Sequence, residues 1–213
     1  MPSTMDQSLH IEKENLRDLI TSERYYRDTR KWADLRQCYH PDPSQTRVAV
    51  TWIDDTIDTF ITAAKQLADW GENPLHSITA GMVHIHDNRA VIVSPCIITL
   101  RFMENGKEYD FTSHVRLVHQ CQKVEFLPSP ASGSAWKVLS LRTIYIQDAV
   151  AASSPVREED LVVDTGSRRP SYKHLCWLLE RRGFEIRDDL PGVDRLDLME
   201  REMEVLFAWL FAE

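Results

Sequence analysis

Two hydrophobic periods divide the chain. Up to about residue 70 the apolar positions recur at helical spacing, and from His76 to Gln147 they alternate. In the first stretch Leu16, Leu19, Ile20 and the Tyr25-Tyr26 pair predict a helix from near His10, with residues 1–9 polar and frayed. The helix is expected to break near Thr29, restart at Lys31, and end at Pro41 and Pro43, which cannot continue it. Asp28 falls on a stripe with Thr21, Tyr25, Trp32 and Leu35, at helical offsets of three, four and seven. That places an acid on the face expected to floor a pocket.

Val48, Val50 and Trp52 alternate with Ala49, Thr51 and Ile53 as a short strand. Asp54 or Asp55 then caps a helix to about Trp70, with Ile57, Phe60, Ile61, Ala64, Leu67 and Ala68 as its apolar face and Gly71 as C-cap. Alternation predicts strands over Ser77–His86, Ala90–Phe102, Tyr109–Phe126 and Trp136–Gln147. Turns fall at Asp87-Asn88 and Asn105-Gly106 and in the breaker cluster 128–134. Helices followed by a four-stranded antiparallel meander argue an α+β fold over residues 10–150. Residues 151–213 add a Pro-, Ser- and acid-rich arm and two helices. One runs Tyr172–Arg182 with Gly183 as its cap; the other starts at Asp194, with Leu198, Met199, Met203, Leu206, Phe207 and Leu210 on its apolar face.

Composition narrows the class. The 213 residues, 43% hydrophobic and 27% charged, suit an ordinary globular protein with an adequate core. A net charge of -8 without a basic face argues against nucleic acid as a partner. The four cysteines, at 38, 96, 121 and 176, form no Cys-x-x-Cys pair, and are expected to be reduced and buried in a cytoplasmic protein. Neither a signal peptide nor an apolar run of membrane-spanning length is evident, so no membrane association is expected.

Three features in order carry a resemblance. They are the helix RYYRDTRKWADLRQCYHPD, Trp52 followed by a helix with Pro74-Leu75-His76 at its exit, and the meander with Asn88-Arg89-Ala90 at its hairpin and Trp136-Lys137-Val138 in its last strand. Over residues 10–150 the chain resembles the SnoaL-like family of the nuclear-transport-factor-2-like superfamily. The resemblance implies helices wrapped by a curved sheet around a cone-shaped pocket, a fold that hosts lyases, isomerases, cyclases and non-catalytic binders. It also implies a homodimer, with the arm over 149–170 along the interface.

In the scytalone dehydratase branch of that superfamily an Asp and a His work together, and Asp28 and His76 occupy the matching places. A carboxylate that accepts the imidazole N–H fixes its tautomer and leaves the other nitrogen as a base. The two tyrosines that polarise the carbonyl in that branch are absent; Arg27 stands in place of one and the Thr51-Trp52 region replaces the other. Tyr25, Trp52, Thr112, His114 and Arg116 are candidate substrate-binding residues. The last three share one face of a strand whose other face, Ser113, Val115 and Leu117, is more apolar, so either face could be the inner one. His84 and His86 form a His-x-His without a third ligand, so no metal is expected, and no nucleotide or phosphate loop is present. The reading is a cofactor-independent lyase, isomerase or cyclase acting on a small apolar oxygenated molecule of polyketide or terpenoid type. The alternative is a non-catalytic cone that binds a hydrophobic ligand or serves as an assembly module.

Overall fold

A computed structural model describes residues 4–69, 73–79, 81–125, 134–153 and 163–212. Two helices, α1 (Thr4–Asp28) and α2 (Trp32–Cys38), are followed by a short hairpin, β1 (Arg47–Val50) and β2 (Ile53–Asp55), and by α3 (Ile57–Asp69). The remaining strands are β3 (Leu75–Ile78), β4 (Met82–His86), β5 (Arg89–Glu104), β6 (Lys107–Glu125) and β7 (Ser134–Ala152). Helices α4 (Lys173–Glu180) and α5 (Leu196–Leu210) end the fold. The fold is the expected α+β cone, with α1 lying in the concavity of a curved sheet and the C-terminal part helical.

Helix α1 is longer than its apolar residues suggest, beginning at Thr4 instead of near His10. Its buried stripe is Leu16, Ile20, Glu23, Arg24, Arg27 and Asp28, an unbroken i, i+4, i+7, i+8 progression. The upper half of the stripe is therefore apolar and the lower half ionic. The helix breaks after Asp28, with Arg30 in the left-handed region at φ 58. Thr56, not Asp54 or Asp55, starts α3: its Oγ1 accepts from Thr59 N, while Asp54 pairs with Arg47 across the β1–β2 hairpin.

Among the described residues the sheet has seven strands in the order β2-β1-β7-β6-β5-β3, with β4 also on β5. The meander is thus larger than four strands, and it is mixed, because β1 runs parallel to β7. The strand expected over Ser77–His86 is split into β3 and β4, which pair with successive parts of β5. Gly81 sits at the join, where a Cβ would lie 2.3 Å from Ser94 Oγ. Asn105 and Gly106 turn β5 into β6 with φ of 50 and 73, the pair of positive values a two-residue hairpin asks for. Two register shifts between β6 and β7, at His114/Val115 and Gln120/Cys121, bend the sheet around α1.

The inner face of β6 carries Phe111, Val115, Leu117 and Cys121, all buried in the core. Its outer face carries Val118, which with Val91, Val93 and Ile144 packs under Leu206 and Leu210 of α5. His84 and His86 lie on that outer side, their rings 5.1 and 5.3 Å from those of Phe207 and Phe211. Helix α4 occupies a different place, against the open end of the cone. Its start is fixed by Asp148, which accepts from Leu175 N at 2.7 Å and pairs with His174 Nδ1 at 2.8 Å. Gly183 follows α4 with φ 80, as its cap role requires. The expected Gly71 cap, the 128–133 loop and the 154–162 part of the arm lie outside the described residues. All four cysteines are buried and free.

Candidate active site

The lower, ionic half of the α1 stripe meets the first residues of β3. His76 pairs with Ile98 of β5, so its side chain points inward beside α1. Asp28 and His76 are joined twice. Asp28 Oδ1 lies 2.6 Å from His76 Nδ1, and Oδ2 accepts from His76 N at 2.7 Å. Each side chain is only 8% exposed. The carboxylate is an acceptor, so Nδ1 carries the proton and Nε2 keeps its lone pair. Burial pushes the His76 pKa below the ordinary histidine value; Arg24 and Arg27 push the same way, against Asp28. The imidazole is thus a neutral base near pH 7.

His76 forms part of the wall of a cavity of about 120 Å³. An engineered apolar cavity of roughly 150 Å³ takes up benzene, so this one suits a small organic molecule. Arg24 and Arg27 line the floor with His76. Trp52, Phe60, Ile98 and Phe111 contribute apolar wall, and Leu175, Leu178 and Leu179 of α4 close the roof. Trp52 is held by stacking on Phe60, with ring centroids 5.5 Å apart. Tyr145 also faces the cavity. Its hydroxyl accepts from Thr51 N at 2.9 Å and is hydrogen-bonded to Thr51 Oγ1, and burial pushes its pKa up to about 12.

Behind the floor lies a second ionic group. Glu23 is fully buried, pairs with Arg24, and accepts from the Tyr39 hydroxyl at 2.9 Å. Burial works to raise the Glu23 pKa, but Arg24 and His119 outweigh it and hold the carboxyl well below its usual range. His119 Nε2 is 3.7 Å from Glu23 Oε2, beyond hydrogen-bond reach, and neither ring nitrogen has a partner among the described residues.

The sequence-derived candidates separate cleanly in space. His76 and Trp52 line the cavity, and Asp28 stands directly behind His76. Tyr25 does not reach it. It is 54% exposed, with its ring against Tyr26, because position 25 falls between the buried positions 24 and 27–28 of α1. Thr112, His114 and Arg116 do not reach it either. They alternate with Phe111, Ser113, Val115 and Leu117, and the apolar set takes the inner face. Thr21 is also exposed, so the buried face in this part of α1 runs through Ile20 and Arg24, one position before Thr21 and Tyr25, and rejoins the expected stripe at Asp28. Arg24, Arg27 and Tyr145 are cavity residues that the sequence reading missed. Continuing Leu16 and Ile20 by three and four residues lands on 23, 24, 27 and 28, a signal that was present in the spacing.

No family model matches the chain. Among curated proteins it is 28% identical over 221 residues to a PEP2-like protein of Fusarium vanettenii, covering 96% of this chain and 88% of the relative. Among solved structures it resembles a candidate scytalone dehydratase of Novosphingobium aromaticivorans, with a TM-score of 0.52 at 13% identity over 71% of this chain and 93% of that one. It also resembles a type 2 hexachlorocyclohexane dehydrochlorinase, with a TM-score of 0.55 at 10% identity over 73% of this chain and 99% of that one. At these identities the structural likeness speaks for the cone fold alone. An uncharacterised protein of Aspergillus terreus is 30% identical over 197 residues, covering 86% of this chain and 71% of its own length. The chain therefore belongs to the same protein family as that Aspergillus terreus protein.

Proposed function

We propose that the protein is a cofactor-independent lyase, isomerase or cyclase that acts by general acid–base chemistry on a small apolar oxygenated molecule. The observation that carries this reading is the doubly held Asp28–His76 pair in the wall of a mostly apolar, roofed cavity. In it His76 Nε2 takes a proton from a carbon next to a carbonyl. Asp28 holds the ring in place and stabilises the imidazolium that forms. The dry surroundings strengthen every charge interaction in the step. That neighbours in the cone fold are named for a dehydratase and a dehydrochlorinase is consistent with this chemistry, as both names describe eliminations. Membership of the SnoaL-like branch and a homodimer are parts of the same proposal. Light scattering on the eluted full-length chain tests the dimer, and a monomer mass would remove it.

The test of the chemistry is a screen of small apolar ketones for exchange of α-hydrogens with deuterated solvent. Exchange is expected with the native chain and lost in His76→Ala and Asp28→Asn. Exchange retained in both variants ends the mechanism. The largely aliphatic lining favours a second reading, a cone that binds an apolar ligand without turnover. Saturable binding with no exchange across the screen would decide for it.

A further inference from the structure

Arg27 is 6% exposed and lines the cavity, yet it has no hydrogen-bond acceptor among the described residues. Its nearest carboxylate oxygen, Asp28 Oδ1, is 4.0 Å away, and both Asp28 oxygens already accept from His76. Arg24, one turn earlier, is different. Its guanidinium is taken up by Glu23, which Tyr39 holds in turn. The cavity floor therefore presents one guanidinium satisfied by a carboxylate and one, in the cavity lining, without an acceptor among the described residues. A buried guanidinium left without acceptors is costly, so such a group is expected where a ligand supplies the acceptor.

We propose that Arg27 is the electrophile of the site: its guanidinium holds the carbonyl oxygen of a small apolar ketone or aldehyde and takes the negative charge that develops there. This rests on the reading of His76 as the base. In the step, the bond between the α-carbon and its hydrogen breaks and the proton goes to His76 Nε2. The electron pair forms the new carbon–carbon double bond, and the carbonyl π pair moves onto oxygen. An enolate forms, and return of the proton reverses the change.

Charge conservation in the floor favours a neutral carbonyl ligand over an acid. Before the step, Arg27 and Asp28 balance each other across 4.0 Å and His76 is neutral. After it, Asp28 faces an imidazolium and Arg27 faces an enolate, so each buried charge has gained a closer partner and the total is unchanged. A carboxylate ligand would bring an uncompensated negative charge into the same dry space. A hydrocarbon would leave Arg27 unserved. The same arrangement supplies what the absent tyrosines would otherwise do, polarisation of the carbonyl, from the position next to the orienting carboxylate.

The experiment uses 4-nitrophenol as an enolate mimic and 4-nitrotoluene as its neutral counterpart, with binding followed by absorbance and calorimetry on the full chain. The native protein is expected to prefer the phenolate and to bind it in ionised form at a pH where the free phenol is still protonated. Arg27→Met should weaken phenolate binding about tenfold or more while leaving 4-nitrotoluene binding in place, which also reports that the variant is folded. Arg27→Lys should restore part of the preference. No phenolate preference in the native chain overturns the proposal without any variant being needed. So does a phenolate affinity that survives Arg27→Met. Phenolate binding needs no turnover, so it can stand even if the exchange test fails, and the two readings fail separately.

Discussion

Asp28 and His76 are bound to each other through two nitrogens of the histidine and both oxygens of the carboxylate: the ring Nδ1–H donates to Oδ1 and the backbone N–H donates to Oδ2. The imidazole therefore cannot turn without breaking the bond that also pins the start of β3 to the end of α1. Chemistry and architecture share one contact.

Replacing Asp28 with Asn should affect both. The amide can accept at one atom only, so the His76 tautomer is no longer enforced, and the balancing charge for Arg27 is gone. Unfolding by urea should show a loss of about 1.5–3 kcal/mol, the range for hydrogen bonds to a charged group. A variant as stable as the native chain would mean that the pair is not formed in solution.

The exchange reaction should keep its rate to lower pH than a free imidazole allows. The base must be neutral, and burial holds the His76 pKa below its ordinary value of 6.5. The rate should therefore reach half its plateau value below pH 6.5. A profile that halves at or above pH 6.5 contradicts the placement of the ring.

Stability should fall as the solution is acidified, in part through His119. Burial lowers its pKa as well, so the unfolded chain takes up this proton before the native one does. The loss begins as pH drops through about 6.5 and continues until the native ring is protonated, at up to about 1.4 kcal/mol per pH unit. Above that range the contribution is complete. Comparing urea midpoints at pH 7 and pH 5, His119→Phe should show a shallower decline than the native chain; equal declines would remove His119 from the account.

Gly81→Ala should be costly despite its size. The added carbon would meet Ser94 Oγ at 2.3 Å and Ile92 Cγ2 at 2.8 Å, both on the strand that β3 and β4 share. Overpacking of this kind costs about 1–3 kcal/mol. A thermal midpoint unchanged from the native value would show that β4 can shift away freely.

Asp148→Ala should loosen the roof. It removes the acceptor for Leu175 N and the partner of His174 at the start of α4, whose Leu175, Leu178 and Leu179 close the cavity. Faster release of 4-nitrotoluene in stopped flow, with the exchange-competent His76 pair intact, is the expected result. An unchanged release rate would place the ligand's route elsewhere.

The α+β order and the hairpin at Asn105-Gly106 were legible because local chemistry determines them, through period and turn residues, whereas the pairing of Asp28 with His76, 48 residues apart, was legible only through the resemblance to the scytalone dehydratase branch. The face of β6 was not legible. Thr112, His114 and Arg116 alternate with a set only moderately more apolar, and nothing local says which side meets the helix; the register with β5 and the bends in β7 decide it. The parallel pairing of β1 with β7 joins segments about 90 residues apart, for which no local signal exists. Arg24 and Arg27 were overlooked for another reason. Charged residues on a helix ordinarily mark its solvated side, and only continuity with Leu16 and Ile20 reveals that this side turns inward.

The roof of the cavity comes from a helix that lies beyond the sheet in sequence, whereas the proton-handling pair comes from α1 and β3. Part of what fits is thus written in a different stretch of the chain from what reacts. Substitution among Leu175, Leu178 and Leu179 can retune the accepted molecule while the Asp28–His76 geometry stays as it is. The fold can acquire a new ligand by drift in its tail without first surrendering its chemistry.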